Sequence, residues 1–185
     1  NDSRLIEKDG QWGIDGDRTE VALITAAMKA GLSRGALEQA YPRIDTLPFE
    51  SQHQYMATLH NAGSEGNTII YLKGSIESVL SRCLDAYISD DETRPLDKEL
   101  IHREVEKMAA KGLRVLAFAR KVSAGSSEKV AHEDVAEGLT FIGFQAMMDP
   151  PRQEAINAVA ACQKAGIQVK MITGDHVATA AAIAR

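Results

Sequence analysis

The sequence predicts an α+β fold, in which an antiparallel sheet is flanked by helix pairs and is followed by a partial α/β segment. Two β-rich runs, residues 55–61 and 68–73, flank the turn 63–66 in the pattern of a hairpin. Helical patterns are interleaved with the strands in pairs, which is typical of an α+β domain. Only after the double proline at residues 150–151 do helix and strand alternate as in a doubly wound domain.

Apolar periodicity places the individual elements. The pattern predicts helices over residues 21–30, 33–39, 75–82, 97–111 and 154–165. It predicts strands over residues 44–49, 55–61, 68–73, 114–120, 139–147 and 167–172. Residues 12–17 are predicted to be a turn-rich entry, and residues 123–134 a polar loop.

The predicted helix ends carry residues that start or stop helices. Asp17 or Thr19 can cap the first helix, and Gly31 ends it. Gly112 ends the helix at 97–111, and Gly166 ends the last one. The helix at 97–111 has an apolar stripe, formed by Leu100, Ile101, Val105 and Met108.

The closing residues predict a phosphate-handling unit. An apolar strand at 167–172 is followed by Thr173-Gly174-Asp175-His176 and then by an Ala-rich helix. Free backbone N–H groups and the helix dipole at such a turn suit a phosphoryl group. Because a parallel strand followed by one helix cannot close a sheet, we expect the chain to be part of a longer protein.

Composition argues against several classes of function. With a net charge of −5, a pI near 5.6 and no dense basic cluster, the chain is not expected to bind nucleic acid. No run approaches the roughly 18 to 20 apolar residues of a spanning helix, and the first residues do not resemble a signal peptide. Cys83 and Cys162 are isolated, so they predict neither a disulfide framework nor a zinc site.

Separated motifs along the chain point to one family. They are Gly16-Asp17-Arg18-Thr19-Glu20, Leu47-Pro48-Phe49, Lys73-Gly74-Ser75-Ile76-Glu77, Gly112-Leu113-Arg114-Val115-Leu116-Ala117, Asp149-Pro150-Pro151-Arg152 and Met171-Ile172-Thr173-Gly174-Asp175. In this order they resemble the GDPTE, PF, KGAPE, GLRVLA, DPPR and MITGD elements of the P-type cation-transporting ATPases. Each motif alone is weak, whereas their common order is specific. Their spelling resembles the calcium, sodium or magnesium branch of that family.

The resemblance implies two parts. Residues 1–148 correspond to the nucleotide-binding domain, and residues 149–185 to the hinge and the beginning of a phosphorylation domain with a haloacid-dehalogenase-like fold. It also implies that the phosphorylated aspartate lies upstream of this sequence, and that the carboxylates that hold magnesium lie downstream. Membrane helices are implied on both sides. The chain is therefore expected to be a cytoplasmic portion of an integral protein of the plasma or inner membrane.

The resemblance places adenine at Phe49, Glu20 and Lys73. Phe49 would stack on the base, although packing in a core is the commoner role of a phenylalanine. Glu20 would accept from the adenine amino group, although a carboxylate at a helix N-terminus also complements the helix dipole. Lys73 would reach the base edge or the phosphates, with Gly74 leaving room for the ligand, whereas a Lys-Gly pair alone indicates only a strand end.

Gln54, Met56 and Arg114 are the other nucleotide contacts that the resemblance implies. Gln54 stands where many relatives carry a lysine near the triphosphate, and because an amide has no charge, we expect weaker nucleotide binding. Met56 fits a core position as well as a pocket wall. Arg114 would clamp phosphate oxygens, or would be a solvated charge at a strand edge. Arg18 and Ile76 stand where the family usually has proline.

The phosphate and hinge side is expected at Asp149, Arg152, Thr173, Gly174 and Asp175. Thr173 and Gly174 would contact the phosphoryl group, and Asp175 would bind the ribose or orient the loop. Arg152 would reach a phosphate when the domains close, or would pair with Asp149.

The function implied by the resemblance is to present ATP to an aspartate that this sequence lacks, and so to couple aspartyl-phosphate formation to cation transport. The cofactors are ATP and Mg²⁺. The partners are the phosphorylation, actuator and membrane domains of the same polypeptide and the transported cation. No catalytic residue or metal ligand is expected in this sequence, so it should hold ATP without turnover. Two alternatives are a haloacid-dehalogenase-type phosphatase with a large cap and a non-enzymatic regulatory domain.

Overall fold

The computed structural model of the chain describes residues 2–8, 10–62, 66–90, 92–123, 125, 127–148 and 152–172. These residues form two compact units. The first unit comprises the chain up to Leu96 together with Ala117–Gly143. The second comprises Asp97–Leu116 and the described residues from Phe144 onward.

The described residues contain nine strands and five α-helices. The strands are β1 (Arg4–Lys8), β2 (Gln11–Asp15), β3 (Arg43–Glu50), β4 (Tyr55–Asn61), β5 (Thr68–Gly74), β6 (Cys83–Ser89), β7 (Glu92–Pro95), β8 (Arg114–Ser123) and β9 (Leu139–Met147). The helices are α1 (Arg18–Lys29), α2 (Arg34–Ala40), α3 (Ile76–Leu80), α4 (Lys98–Ala109) and α5 (Gln153–Lys164), and a short 3₁₀ helix spans Glu133–Val135.

The main sheet has seven strands in the order β3-β4-β5-β8-β9-β6-β7. The pairs β3/β4, β4/β5, β5/β8 and β6/β7 are antiparallel, whereas β6 and β9 run parallel. The structure confirms a mixed fold of helices with a mostly antiparallel sheet. The hairpin predicted between β4 and β5 is present, and Ala62 N donates to Asn67 O at 2.9 Å near its turn. Residues 63–65 of that turn lie outside the described residues.

The core of the first unit is centred on β4 and β5. Residues 55–59 of β4 are all buried, although a strand with one wet face would alternate. Both faces of this strand are therefore covered. Val79 and Leu80 of α3 are 0% and 2% exposed and bury the short helix by its apolar side. Such burial of large aliphatic side chains contributes about 1.5 to 3 kcal/mol each.

Helix caps follow the sequence signals closely. Asp17 is the N-cap of α1, and its Oδ1 accepts from Glu20 N at 3.1 Å. Asp97 caps α4 in the same way through Leu100 N at 2.9 Å. Gly31, Gly112 and Gly166 follow α1, α4 and α5 with φ of 79°, 76° and 76°, a left-handed conformation that glycine adopts without steric cost.

Four strands of the first unit, β1, β2, β6 and β7, were missed by the sequence pattern, and the turn-rich entry predicted at 12–17 is wrong in part. β1 and β2 form a separate two-stranded sheet with Lys8 paired to Gln11. The available signal was Asp9-Gly10, a frequent two-residue hairpin loop.

β6 and β7 carry weaker local signals. Leu84 of β6 is 74% exposed, and all four residues of β7 are exposed. β7 ends with Pro95, which is tolerated at a sheet edge because that position needs no ladder donor. β7 pairs with its neighbour β6, and β6 pairs in turn with the distant β9, a partner that a local pattern does not reveal.

The strand predicted at 167–172 is wrong. These residues follow α5 without regular structure, and Ile172 is 97% exposed. A strand exists only through the hydrogen bonds of a neighbouring strand, and none pairs with this segment within the described residues. The apolar residues of this segment therefore did not suffice to predict a strand.

The helices of the second unit agree with their predictions. α4 ends at Ala109, slightly before the expected end, and of its apolar stripe only Leu100 is clearly exposed, at 43%. α5 lies within one residue of the predicted bounds. The polar loop at 123–134 is confirmed in large part, with the 3₁₀ helix at its end.

Gly74 provides a test of the β4–β5 packing. A Cβ added there would lie 2.4 Å from Gln54 O and 2.8 Å from the Tyr55 Cβ. Gly74→Ala should therefore lower the free energy of unfolding by about 1 to 3 kcal/mol, because one close atom is a backbone oxygen of the turn and the other belongs to the buried Tyr55. Urea unfolding measures the loss.

Gly35→Ala is the matched control, since no heavy atom lies within 4 Å of a Cβ at that position in α2. It should leave stability unchanged or raise it by up to about 1 kcal/mol. Equal effects of the two substitutions would contradict the close approach at Gly74.

Candidate functional site

The candidate site is organised by an ion pair between α1 and β5. Lys73 Nζ donates to Glu20 Oε1 at 2.5 Å. Their side chains are only 17% and 19% exposed. Glu20 lies in the first turn of α1, and Lys73 lies next to the last residue of β5. The pair thus joins two of the sequence motifs across the fold.

The second oxygen of Glu20 binds the start of the chain. Oε2 accepts from Ser3 Oγ at 2.7 Å and from the backbone N–H groups of Ser3 and Asp2 at 3.2 Å each. Ser3 Oγ in turn accepts from Asp17 N at 2.9 Å. Ser3 is 3% exposed, so its hydroxyl is a buried connection between the start of β1 and the N-terminus of α1.

The packing of this network explains why residue 16 is a glycine. Its φ is 110°, and a Cβ there would lie 2.4 Å from Ser3 Oγ. Gly16 therefore leaves room for Ser3, Asp17 caps the helix, and Glu20 takes the hydrogen bonds. The spacing of the Gly16–Glu20 motif is explained by these contacts before any ligand is considered.

Two arginines hold the same N-terminal segment. Arg34 Nη1 donates to Ser3 O at 2.8 Å, and Arg43 Nη1 donates to Asp2 Oδ1 at 2.5 Å. Sequence reasoning missed Ser3, Arg34 and Arg43, since none of them belongs to a motif and their partners lie far away in the chain.

The contacts of Glu20 change its acidity. Burial by itself would raise the pKa of Glu20, but hydrogen bonds from Lys73, Ser3 and Asp2 N and the charge of Lys73 lower it to about 2, from an ordinary value of 4.5. Glu20 is therefore a carboxylate acceptor at any pH near neutrality.

A row of residues crosses the sheet beside this pair. Met56 on β4 and Phe118 on β8 lie directly opposite Lys73 on its two sides. Between β3 and β4 the register shifts from Leu47↔Ala57 to Glu50↔Tyr55, so Pro48 and Phe49 together oppose Met56 in a bulge. Two strand spacings, about 10 Å, separate this bulge from Lys73.

Phe49 and Met56 differ in burial. Phe49 is 60% exposed, so its side chain is not used for core packing in this structure. Met56 is 7% exposed and lies in the core, one of the two roles that the sequence left open. An exposed aromatic residue and a partly buried Lys-Glu pair thus lie two strands apart at the same level of the sheet.

Gln54 lies in a tight turn next to Gly74. Its φ of 57° is the left-handed conformation, and Gln54 N donates to Glu50 O at 2.8 Å. Gln54 O accepts from Ser75 N at 3.0 Å. The close neighbour that makes glycine necessary at residue 74 is thus the chain's own backbone.

Arg18 and Ile76 stand where the resembling family usually has proline, and both occupy the first position of a helix. Arg18 is the first helical residue after the cap Asp17, and Ile76 is the first after the cap Ser75. Proline is common at this position because the N–H group there has no partner within the helix, and other residues are tolerated as well. Ile76 is 6% exposed and packs into the core, whereas Glu77 is exposed in the first turn of α3.

The remaining predicted site residues belong to the second unit or lie outside the described residues. Arg114 begins β8 and Arg152 is the N-cap of α5; both are exposed and belong to the second unit. Asp149, Thr173, Gly174 and Asp175 lie outside the described residues. Cys83 is buried and Cys162 is partly exposed, and both are free thiols.

The chain belongs to the P-type ATPase cytoplasmic N-domain family, because it matches that family, described as "P-type ATPase, cytoplasmic domain N", over residues 1–154. It is 51% identical over 185 residues to the cation-transporting ATPase pma1 of Synechocystis, and 42% identical over 184 residues to a probable cation-transporting ATPase F of Mycobacterium tuberculosis. It is 35% identical over 191 residues to a calcium-transporting ATPase of Bacillus subtilis.

Each of these alignments covers 100% of the chain. The chain in turn spans 20% of the first two relatives and 21% of the third. Domains that this sequence does not contain therefore make up most of those proteins. Among the described helices, none combines the length and the apolar composition of a membrane-spanning segment.

The low pKa of Glu20 predicts a pH-dependent contribution to stability. Because the folded value is depressed, the contribution is fully present above about pH 5 and is lost as the pH falls toward 2. Glu20→Gln should lower the free energy of unfolding at pH 7 by about 1 to 3 kcal/mol, and the difference from the native chain should shrink by more than half at pH 3. Urea unfolding at a series of pH values tests this.

Glu106→Gln on the exposed side of α4 serves as the control and should change stability little at any pH. A difference between the native chain and Glu20→Gln that stays constant from pH 7 to pH 3 would contradict the assignment.

Proposed function

We propose that this chain binds ATP at Glu20, Phe49 and Lys73 and presents it to an aspartate elsewhere in a P-type cation-transporting ATPase. The observation that carries the proposal is the Lys73–Glu20 pair, which lies at the same level of the sheet as the exposed Phe49, two strands away. Family membership supports the use of ATP. The parent protein would couple aspartyl-phosphate formation to movement of a cation across a membrane.

The pair offers polar groups of both kinds to a ligand. The Glu20 carboxylate is a hydrogen-bond acceptor of the kind that suits an exocyclic amino group such as that of adenine. Lys73 has three ammonium hydrogens, and the contact with Glu20 uses one. The remaining hydrogens suit a ring nitrogen or a phosphate oxygen.

Phe49 supplies the apolar part of the proposed site. At 60% exposure its ring has a face available to a planar base, and stacking of a base on an aromatic ring contributes about 1 to 3 kcal/mol. Adenine would then be held by stacking and by its polar edge together, an arrangement that orients the base as well as binding it.

The triphosphate side is proposed from the resemblance. Gln54, Gly74 and Arg114 would line it, and Asp149, Arg152, Thr173, Gly174 and Asp175 would contribute from the hinge and the phosphorylation domain. We propose the division into residues 1–148 and 149–185 on the same ground. Met56 would support the floor of the site as a core residue.

Magnesium is implied by the family, but the metal-ligand cluster found among the described residues does not suit it. The one group with metal-ligand geometry in the described part of the chain contains two imidazoles, whereas Mg²⁺ prefers oxygen ligands in octahedral geometry. The contribution proposed for this chain is accordingly to bind and orient the nucleotide.

No observation favours the two alternatives. The match over residues 1–154 is to the cytoplasmic domain N of P-type ATPases and not to a capped phosphatase. A regulatory domain without nucleotide is separated from our proposal by titration with ATP monitored by amide NMR. Shifts centred on Phe49 and Lys73 support the proposal, and no shift at millimolar ATP would refute it.

Phe49→Ala tests the stacking directly. Loss of about 1 to 3 kcal/mol should weaken ATP binding by about 5- to 150-fold, because the base loses its aromatic partner while the Lys-Glu pair remains. Isothermal calorimetry measures the change in Kd. Since Phe49 is largely exposed, stability should change little.

Tyr41→Ala is the matched control, because this aromatic ring is also exposed but lies just before β3, at the opposite end of that strand. It should leave the Kd for ATP unchanged. Unaltered binding by Phe49→Ala, or equal losses in both variants, would reject the adenine assignment.

Gln54→Lys should strengthen ATP binding. The substitution adds a cation where relatives by resemblance carry lysine, and an exposed charge contributes up to about 1 kcal/mol, or roughly fivefold in Kd. The gain should fall as salt is raised, since exposed charges are screened. Gln52→Lys in the same turn is the control and should give a smaller gain; identical gains would point to net charge alone.

A further inference from the structure

A second cluster of chemically active side chains lies at the β3–β4 turn. One ligand atom from each of Glu50, His53 and His132 lies within 4.8 Å of the others. His53 Nε2 is 3.6 Å from Glu50 Oε2, and the rings of His53 and His132 have centroids 4.2 Å apart. All three side chains are partly buried. No motif of the sequence indicated this convergence.

We propose that Glu50, His53 and His132 form a binding site for a borderline divalent transition metal of the Zn²⁺ type. Two imidazoles and one carboxylate are a ligand set that zinc uses in sites with an open fourth position. The same set disfavours Mg²⁺ and Ca²⁺, which prefer oxygen ligands. The inference does not depend on nucleotide binding.

The elements that carry these ligands hold them in place. Glu50 ends β3 and His53 follows in the turn, where Glu50 O accepts from His53 N at 3.0 Å and from Gln54 N at 2.8 Å. The turn thereby places the carboxylate and the first imidazole on adjacent sites before a metal arrives.

His132 is held by a separate set of contacts. It precedes the 3₁₀ helix, and its loop is tied to β3 because Val130 N donates to Asp45 Oδ2 at 2.9 Å. Val130 and Val135 are 7% and 0% exposed, so both sides of His132 are anchored in the core.

Tyr55 completes the arrangement behind His132. Its hydroxyl lies 2.7 Å from His132 Nδ1, and Tyr55 is itself 2% exposed. Metal-binding histidines characteristically use the second ring nitrogen in such a hydrogen bond, which orients the ring. With Nδ1 engaged, Nε2 of His132 is left for the metal.

Binding of a metal would draw together ligand atoms that now lie within 4.8 Å of one another. Tetrahedral zinc with bonds of about 2.0 to 2.1 Å separates its ligand atoms by about 3.3 Å, close to the 3.6 Å between Glu50 and His53. The Gln52 amide lies 3.2 Å from His53 Nε2 and donates to Glu50 Oε2 at 2.8 Å. Since Gln52 is exposed, it can turn aside at small cost. On Tyr55 stacks the guanidinium of Arg82, whose central carbon lies 4.4 Å from the ring centroid.

Titration of the chain with Co²⁺, a spectroscopic substitute for zinc, tests the site. The expected result is visible ligand-field absorption of low-symmetry Co²⁺ that saturates at one equivalent and is abolished by Zn²⁺ but not by Mg²⁺. His53→Gln and His132→Gln should each weaken binding by at least about tenfold, and Tyr55→Phe by about tenfold through loss of the orienting hydroxyl.

His102→Gln on α4 is the matched control and should bind Co²⁺ as the native chain does. Amide NMR of the native chain with Zn²⁺ needs no variant, and its shifts should centre on residues 50–55 and 130–134. Absence of those shifts in excess Zn²⁺, or equal loss of Co²⁺ binding in His102→Gln and His53→Gln, would overturn the proposal.

Discussion

The ion pair of Lys73 with Glu20 is the interaction on which the candidate site depends. It joins α1 to β5, and through Ser3 the same carboxylate also holds the two-stranded sheet. Removing Glu20 would leave the partly buried ammonium of Lys73 without its carboxylate, which is more costly than losing an exposed pair. The ion pair, the helix cap at Asp17 and the position of Ser3 are therefore coupled. A substitution at one residue of this network should affect the others.

A second constraint is the crowded junction between Gln54 and Gly74. The turn that contains Gln54 has a left-handed residue and lies so close to β5 that only glycine fits opposite it. The same turn follows Phe49 and carries His53, so the proposed adenine contact and the proposed metal site are built on neighbouring residues. The three properties should therefore be separated by different substitutions. Gly74 tests stability, Phe49 tests nucleotide binding and His53 tests metal binding.

Much of the fold could be predicted where local signals are strong. β4 and β9 have the predicted bounds, and α1 to α5 lie near theirs, because apolar periodicity, Asp caps and glycine ends act over a few residues. β6, β7 and the pairing of β1 with β2 were missed because their exposed or charged residues give no clear apolar alternation, and β6 pairs in addition with the distant β9. The segment at 167–172 failed for the converse reason, because its apolar residues predicted a strand that has no neighbour among the described residues.

The sequence by itself determined the family, through motifs in a common order, and it named Glu20, Phe49 and Lys73 as candidates. Only the tertiary structure decided that Glu20 and Lys73 form a pair, that Phe49 is exposed while Met56 is buried, and that Gly74 faces the chain's own backbone. It also revealed Ser3 and the group of Glu50, His53 and His132. The physical reason is that composition and spacing act locally, whereas burial, acidity and ligand geometry arise only when distant residues are brought within a few ångströms.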